Sequence, residues 1–268
     1  MFLFEAKIYE KEFLARDTFR LRIAADEVFS HHLGPGKFVM LGPQHRLYDP
    51  LLLRPFGICN WSAPWFEVII KIVGRGTEWL SQCRTGDLLR VHGPLGNGYP
   101  EPSANCRSLL LVAGGIGIAS LASWVLTDFN PGLKLQNFKL LYGATNREQL
   151  ILLSELQQSG GQGFTAVTIT DDGSCGRKGL VTSLLQEELL AYPNSQVFAC
   201  GPEAMLKAVA ETLKKSGNRN GFLSLEKRMA CGFGVCLGCV QKTSPAAKYR
   251  KVCTDGPVFP ALEVDFDG

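Results

Sequence analysis

Residues 108–127 read SLLLVAGGIGIASLASWVLT and contain no charged side chain. The stretch is long enough to cross a membrane, but glycines at positions 114, 115 and 117 interrupt it, and no flanking basic cluster accompanies it. An apolar run that ends in a glycine turn and resumes with small residues is typical of a buried strand followed by a buried helix. We therefore predict the first unit of a nucleotide-binding α/β domain rather than a membrane span.

Strand and helix patterns continue to alternate after this stretch. Strands are predicted at residues 109–113, 139–142, 166–170 and 196–199, and helices near 118–126, 148–158, 180–190 and 202–216. Alternating β and α units predict a doubly wound parallel sheet, which we assign to residues 103–218.

The segments on either side have different patterns. Residues 1–102 contain short apolar runs at 4–9, 18–23, 38–41 and 66–73, divided by Gly, Pro, Asp and Asn. Short, frequent strands of this kind predict a closed antiparallel β-barrel. Residues 219–268 are rich in cysteine and loop-forming residues, and we predict a small third domain there.

Four cysteines in the last segment have the spacing of iron–sulfur ligands. Cys231, Cys236 and Cys239 follow the pattern C-x4-C-x2-C, and Cys253 comes fourth. This is the plant-type pattern of a [2Fe–2S] cluster and differs from the paired C-x2-C of a zinc ribbon. Three intervening glycines allow a tight loop to turn its N–H groups toward the sulfurs. A zinc knuckle and buried structural thiols are the alternatives.

Two motifs in the barrel segment are suited to a pyrophosphate. Arg54 precedes a rigid proline in Arg54-Pro55-Phe56-Gly57, and a guanidinium binds phosphate oxygens with a geometry that lysine lacks. Gly74-Arg75-Gly76-Thr77 offers backbone N–H groups and a hydroxyl at a predicted helix start. Each motif also fits an ordinary turn, and the glycine-rich residues 93–99 suit either a plain turn or a cofactor contact.

Two strand-to-helix turns of the α/β segment are suited to a dinucleotide. Gly114-Gly115-Ile116-Gly117 is similar to a dinucleotide fingerprint, although the full G-x-G-x-x-G is absent and no acid follows at the usual ribose distance. The turn Cys200-Gly201-Pro202 ends the last predicted strand, at the sheet edge where ligands bind in such folds. A lone buried cysteine also occurs simply as a small apolar side chain.

The composition indicates where the chemistry resides. The chain is 46% hydrophobic and 20% charged, and its net charge of +3 gives no support for nucleic-acid binding. Nine cysteines without a recognisable signal peptide favour a reducing, cytoplasmic environment. The four histidines are scattered and no Ser/His/Asp arrangement is evident, so we predict no catalytic side chain and expect cofactors to supply the chemistry.

Taken together, these residues resemble the ferredoxin reductase superfamily and, more narrowly, the electron-transfer subunits of class B dihydroorotate dehydrogenases. The most specific matches are residues 229–240 with Cys253, residues 93–99 and residues 170–174. The resemblance implies an FAD-binding barrel, an NADH-binding α/β domain and a [2Fe–2S] domain, in the order inferred above.

The resemblance also assigns roles by position. Residues 54–57 fall where the family binds FAD, Ile69-Ile70-Lys71 would line the flavin, and Gly76 and Thr77 would hold its pyrophosphate. The turns at Gly114, Gly115 and Gly117 and at Cys200, Gly201 and Pro202 would bind NADH, with the cysteine facing the nicotinamide. Two positions depart from the family pattern: Gly57 replaces a serine near the flavin, and Ser120 replaces a proline after the glycine turn.

The function implied is electron transfer from NADH, through FAD and the cluster, to the FMN of a catalytic dihydroorotate dehydrogenase subunit, in a heterotetramer of pyrimidine biosynthesis. Equivalent subunits of a sulfide dehydrogenase, an NADH-dependent ferredoxin:NADP reductase or a hydrogenase are alternatives, as are a redox-sensing module and a zinc-stabilised scaffold. NADH is expected from the resemblance alone, because Arg147 and Arg177-Lys178 remain available to bind the 2′-phosphate of NADPH.

Overall fold

A computed structural model describes residues 2–45, 49–127, 135–244 and 248–267. Six strands close into an antiparallel barrel in the order β1-β2-β5-β4-β3-β6, as predicted. Side chains alternate along them: in β2, Phe19, Leu21 and Ile23 are fully buried, while the intervening arginines face outward. The barrel elements are β1 (Phe2–Ala15), β2 (Thr18–Ala24), α1 (Glu27–Ser30), β3 (Phe38–Pro43), β4 (Arg54–Ser62), β5 (Trp65–Lys71), α2 (Arg75–Gln82) and β6 (Leu88–Leu95).

The second part is a seven-stranded sheet in the order β10-β9-β8-β7-β11-β12-β15, parallel except for β15. Its doubly wound character is confirmed, with helices after β7, β8, β10 and β11. The elements are β7 (Ser108–Gly114), α3 (Ile118–Leu121), α4 (Ser123–Leu126), β8 (Asn137–Ala144), α5 (Leu153–Ser159), β9 (Phe164–Thr170), β10 (Arg177–Lys178), α6 (Val181–Ala191), β11 (Gln196–Cys200), α7 (Glu203–Ser216), β12 (Gly221–Ser224) and β15 (Val258–Pro260).

Two predicted helices differ from the structure. The helix near residues 118–126 is divided into α3 and α4, which meet at Ala122. The helix predicted near residues 148–158 begins only at Leu153, because Leu152 has a φ of 61°, a left-handed conformation that a right-handed helix does not continue. Residues 108–127 are thus a strand, a turn and two short helices, and no helix in the described residues is long and apolar enough to cross a membrane.

The cysteine segment is tied to the large sheet. Its own sheet is a two-stranded pair, β13 (Val240–Thr243) and β14 (Lys248–Lys251). The strands β12 and β15 lie beyond the predicted boundary at residue 218 and extend the large sheet. The boundaries at residues 102 and 218 stay predictions.

Buried clusters cross all three segments. One cluster contains Phe38, Met40 and Leu95 of the barrel together with residues of the large sheet and with Cys239 and Cys253. A second places barrel residues such as Cys59 and Ile69 among side chains of the large sheet and of α3 and α4. The apolar burial that stabilises each segment is therefore shared with its neighbours, which fixes the segments relative to one another.

Candidate functional site

The two barrel motifs lie against each other. Arg54 begins β4, and its side chain crosses Gly76 at the start of α2 so closely that a Cβ on Gly76 would lie 2.7 Å from Arg54 Nε. The guanidinium also donates from Nη1 to the carbonyl oxygen of Leu52 at 2.7 Å. The structure thus places a cation beside the N–H groups of a helix start, a combination suited to a phosphate.

Thr77 has a different hydrogen-bonding role from the one predicted. Its Oγ1 accepts from the N–H groups of Val73 at 2.9 Å and Gly74 at 3.2 Å, and donates to the Gly74 carbonyl at 2.9 Å. The hydroxyl therefore closes the start of α2. The first backbone N–H groups of the helix remain as the donors for a phosphate, because they have no carbonyl four residues earlier within the helix.

Gly76→Ala is expected to weaken FAD binding by about 10-fold. The new Cβ would push the flexible Arg54 side chain aside, and the guanidinium would lose roughly one charged hydrogen bond to the ligand. The FAD dissociation constant, measured by fluorescence titration of the apoprotein, checks this. Gly74→Ala is the matched control, because a Cβ there meets nothing within 4 Å. Equal FAD affinity in the two variants would contradict the proposed role of Arg54.

The predicted flavin-lining residues point in different directions. Ile70 is fully buried in the barrel interior, whereas Ile69 packs in the cluster shared with the large sheet. Lys71 is half-buried, and its Nζ lies 3.5 Å from Asp17 Oδ2. Only Ile69 and Lys71 therefore present side chains outside the barrel, and Ile70 has its backbone alone to offer a flavin.

The two predicted nucleotide turns pack together at the carboxyl edge of neighbouring strands β7 and β11. A Cβ on Gly117 would lie 2.3 Å from the Cys200 carbonyl oxygen, and one on Gly114 would lie 2.9 Å from Pro202 Cδ. The strand order reverses between β7 and β11, and ligands of open α/β sheets bind at such a switch point. The two predicted turns thus meet at the switch point, which is where the ligand crevice of such a sheet is expected.

Cys200 is buried at this crevice as a neutral thiol. Burial raises the pKa of Cys200 to about 12, so the nucleophilic thiolate is scarce at neutral pH. The barrel loop at residues 93–99 reaches the same place, where Tyr99 donates its hydroxyl to the Ala199 carbonyl at 3.2 Å. These features suit Cys200 to packing against a ring rather than to covalent chemistry.

An acidic loop at the same sheet edge was missed as a site from the sequence. After β9, the N–H groups of Asp171 and Asp172 donate to the carbonyls of Ala144 and Thr145, which follow β8. Hydrogen bonds from the Ser174 hydroxyl and N–H lower the pKa of Asp172, which keeps it charged. The dinucleotide fingerprint expects a single acid at a fixed distance after the glycine turn. Here the two acids instead follow β9, the third strand of this sheet along the chain.

Arg177, one of the residues considered for a 2′-phosphate, is already paired. Its Nη1 and Nη2 donate to the two carboxylate oxygens of Glu187 at 2.6 and 2.7 Å. An exposed pair of this kind adds little stability, but it partly neutralises the charge that a phosphate would need.

Cys231, in the outer part of the cluster segment, is prepared as a thiolate. Burial alone would raise the pKa of Cys231, but N–H groups of Cys236, Phe233 and Val235 outweigh it and lower that pKa to about 6. The Cys236 N–H lies 3.5 Å from the Cys231 sulfur. Leu237 adopts a left-handed φ of 58°, which a non-glycine residue adopts only at a cost. The backbone of this loop therefore directs its N–H groups toward the Cys231 sulfur.

The inner two cysteines form a buried pair. The sulfurs of Cys239 and Cys253 are 3.2 Å apart, and both residues are at most 2% exposed. Burial, and then the neighbouring Cys239, raise the pKa of Cys253 to about 12. Two buried sulfurs this close ionise together only when a cation lies between them, as metal ligation requires.

This arrangement fits a binuclear cluster. The four cysteines lie as an outer pair, Cys231 and Cys236, and an inner pair, Cys239 and Cys253. Two pairs of thiolates are what the two irons of a [2Fe–2S] cluster bind.

The cluster loop lies directly on the barrel. A Cβ on Gly232 would lie 3.0 Å from Met40 Cγ of β3 and 3.1 Å from Leu95 Cδ1 of β6. The ring of Phe233 packs edge-on against His92 of β6, with centroids 5.8 Å apart. Since Met40 pairs with Pro55 of the flavin motif, a single strand separates that motif from the cluster loop.

Asn97 connects the barrel to the fourth ligand. Its N–H donates to the Gly256 carbonyl at 2.8 Å, and its Nδ2 donates to the Thr254 carbonyl at 3.2 Å. The loop at residues 93–99 therefore holds the segment that follows Cys253. No signal in the sequence could have shown this contact, because the partners are more than 150 residues apart.

Two family models match the chain. One is the iron–sulfur cluster binding domain of dihydroorotate dehydrogenase B, over residues 226–265, and the other is the oxidoreductase NAD-binding domain, over residues 111–211. These matches include the four cysteines and both nucleotide turns.

Similar proteins extend over nearly the whole chain. A dihydroorotate dehydrogenase B (NAD(+)) electron transfer subunit homolog of Aquifex aeolicus is 35% identical, with 97% of each chain covered. The electron transfer subunit of Caldanaerobacter subterraneus subsp. tengcongensis is 38% identical, with 87% of each covered. Among solved structures, a chain of an NADH-dependent reduced ferredoxin-NADP oxidoreductase is 29% identical, with a TM-score of 0.80 over 98% of this chain and 90% of its own.

Proposed function

Because the chain belongs to the family of dihydroorotate dehydrogenase B electron transfer subunits, we propose that it passes electrons from NADH, through FAD and a [2Fe–2S] cluster, to the FMN of a catalytic dihydroorotate dehydrogenase subunit. It is a flavin- and iron–sulfur-dependent oxidoreductase subunit that serves pyrimidine biosynthesis.

The observation that carries this proposal is the position of the cluster loop. Gly232 contacts β3 and β6, and β3 pairs directly with the strand that bears Arg54 and Gly57. Neighbouring strands are about 4.8 Å apart, so groups held at the two places are separated by little more than one strand. A shared buried core keeps that separation fixed.

Each part of the chain has a distinct task in this function. Bound FAD would supply the capacity to take up a hydride and to release single electrons, and the bound cluster would supply one-electron transfer. Arg54 and the start of α2 would hold the FAD pyrophosphate, and the sheet edge at Gly117 and Cys200 would hold the nicotinamide. The four cysteines would hold the cluster, with the N–H groups of their loop tuning its potential.

The partner would dock on the exposed face of the cluster loop. Cys236 is exposed, and it is flanked by apolar side chains that are 46% (Phe233), 71% (Val235) and 59% (Leu237) exposed. An exposed apolar patch of this kind typically marks a protein interface. We propose the FMN-bearing catalytic subunit as its occupant, two copies of each chain in the complex, and a cytoplasmic location, which the nine unpaired thiols favour.

An absorption spectrum recorded before and after anaerobic addition of NADH tests the function. A yellow-brown protein whose flavin absorbance bleaches is expected. The test continues by co-purification with the catalytic subunit and measurement of orotate formation coupled to NAD(+). A colourless protein, or one whose flavin absorbance NADH does not bleach, would refute the proposal.

A second candidate acceptor has an observation in its favour. The TM-score of 0.80 to a chain of an NADH-dependent reduced ferredoxin-NADP oxidoreductase makes an equivalent role in such a complex the alternative. Purifying the tagged chain from its native cell and identifying the protein that remains bound to it discriminates between the two candidate acceptors. A partner that reduces NADP(+) with ferredoxin, and forms no orotate, would favour the alternative.

The acidic loop predicts a preference for NADH. Asp171→Ser is expected to lower the ratio of kcat/KM for NADH over NADPH by about 10-fold, because a carboxylate at the ribose repels a 2′-phosphate. Steady-state reduction of FAD by each nucleotide measures the ratio. Glu211→Gln on α7 removes the same charge at another exposed position and should leave the ratio unchanged; an equal change in both variants would argue against the role of Asp171.

A further inference from the structure

Ser120 lies where the flavin strand meets the nicotinamide crevice. It belongs to α3, is buried, and its Cα and Cβ are both 3.7 Å from the point that a Cβ on Gly57 would occupy. Gly57 contributes no side chain to this contact, so the Ser120 hydroxyl is the polar side-chain group there. The two positions at which the chain departs from the family pattern therefore touch each other.

The Ser120 hydroxyl lies among three polar side chains, Ser224, Cys200 and Tyr99. It donates to the Ser224 hydroxyl at 3.4 Å, well beyond the usual 2.7–2.8 Å of such bonds. The two hydroxyls are also near enough to Cys200 and Tyr99 to oppose the rise in their pKa values that burial causes. The hydroxyl has a single hydrogen to donate among these neighbours, and its oxygen has two lone pairs with which it can accept from an incoming N–H donor.

The neighbours of this hydroxyl indicate which ligand it meets. Cys200 and Ser224 end the adjacent strands β11 and β12 at the carboxyl edge of the sheet, beside the switch point at which a dinucleotide binds. The nicotinamide ring of that ligand carries one N–H donor group, its carboxamide. A buried acceptor in this crevice is therefore matched to the carboxamide NH₂.

We propose that Ser120 is a positioning residue that accepts a hydrogen bond from the nicotinamide carboxamide of NADH and so orients the ring toward the flavin. The proposal rests on the function proposed above. It assigns to α3 a polar contact at the place where β4 offers only Gly57.

Equilibrium binding to the oxidised, FAD-loaded protein tests the contact without turnover. Ser120→Ala is expected to weaken NAD(+) binding about 5-fold in isothermal titration calorimetry, the effect of one ordinary hydrogen bond. The 3-acetylpyridine analogue of NAD(+) has a methyl group where the carboxamide has NH₂. Its dissociation constant should be the same for both proteins.

A matched variant isolates the hydroxyl. Ser123→Ala removes a fully buried serine one turn further along, whose hydroxyl has no hydrogen-bond partner among the described residues, and it should leave both dissociation constants unchanged. Thermal unfolding checks that both variants are folded. Unchanged NAD(+) binding in Ser120→Ala, or an equal loss for NAD(+) and the analogue, would overturn the proposal.

The proposed function has a separate readout. If NADH fails to bleach the flavin of the unmodified protein, the function itself fails, whatever Ser120 does. If NADH bleaches it and Ser120→Ala binds NAD(+) normally, only the inference about Ser120 fails.

Discussion

Cys236→Ser is expected to abolish electron delivery to the catalytic subunit while NADH still reduces FAD. Cys236 is the exposed member of the outer pair, and a serine hydroxyl is a much weaker iron ligand than a thiolate. Orotate formation coupled to NAD(+) should fall by at least the roughly 100-fold that even the loss of an outer-shell partner can cause. Reduction of FAD should persist because Arg54, Gly76 and both nucleotide turns are unaltered.

The measurement compares three quantities in the purified complex: iron content, the rate of flavin bleaching by NADH in a stopped-flow instrument, and the rate of orotate formation. Cys175→Ser is the matched control, since Cys175 is a partly exposed thiol outside the cluster loop. It should resemble the unmodified protein in all three quantities. Loss of flavin bleaching in a folded, FAD-replete Cys236→Ser protein would refute this division of labour.

Gly117→Ala is expected to cause a large loss of both stability and NADH-dependent flavin reduction. The new Cβ would lie 2.3 Å from the Cys200 carbonyl oxygen and 2.7 Å from the Gly201 nitrogen. These are backbone atoms of a buried strand end, so they cannot rotate away as a side chain would. Overpacking of this kind costs about 3 kcal/mol, which corresponds to a decrease in Tm of roughly 6–12 °C.

Gly115→Ala separates steric crowding from backbone strain in the same turn. Gly115 has a φ of 51°, but a Cβ there meets nothing within 4 Å. Only the left-handed conformation is penalised, at about 1–2 kcal/mol. The Tm measured by differential scanning calorimetry should therefore be lowest for Gly117→Ala, intermediate for Gly115→Ala and highest for the unmodified protein. Equal Tm values for the two variants would contradict the packing of the two turns.

Local patterns in the sequence predicted much of the fold. The period-2 runs of the barrel and the alternation of strands and helices depend on residues a few positions apart, so they can be identified without knowledge of the tertiary structure. The main error in a helix arose at Leu152, whose left-handed φ is imposed by its surroundings and has no glycine or proline to signal it. Such a position is invisible to a periodicity argument.

The candidate site was only partly predictable. The ligand spacing and the glycine turns are local. The structure places the cysteines in two pairs and packs the two turns against each other. Thr77 and Ile70 have side-chain directions that the motifs did not reveal, because a hydroxyl can serve its own helix and alternate strand residues face opposite sides. Asn97, Asp171 and Ser120 gained significance only from partners distant in sequence.

The sequence by itself determined the three-part order, and its spacing predicted the four cluster ligands and the two glycine turns as nucleotide-binding, because spacing and periodicity are properties of contiguous residues. The tertiary structure alone decided that the cluster loop rests one strand from the flavin motif and that Gly57 meets Ser120. The physical reason is that these neighbours are fixed by close packing between segments. The type of residue at one position does not reveal which distant residue will pack against it once the chain has folded.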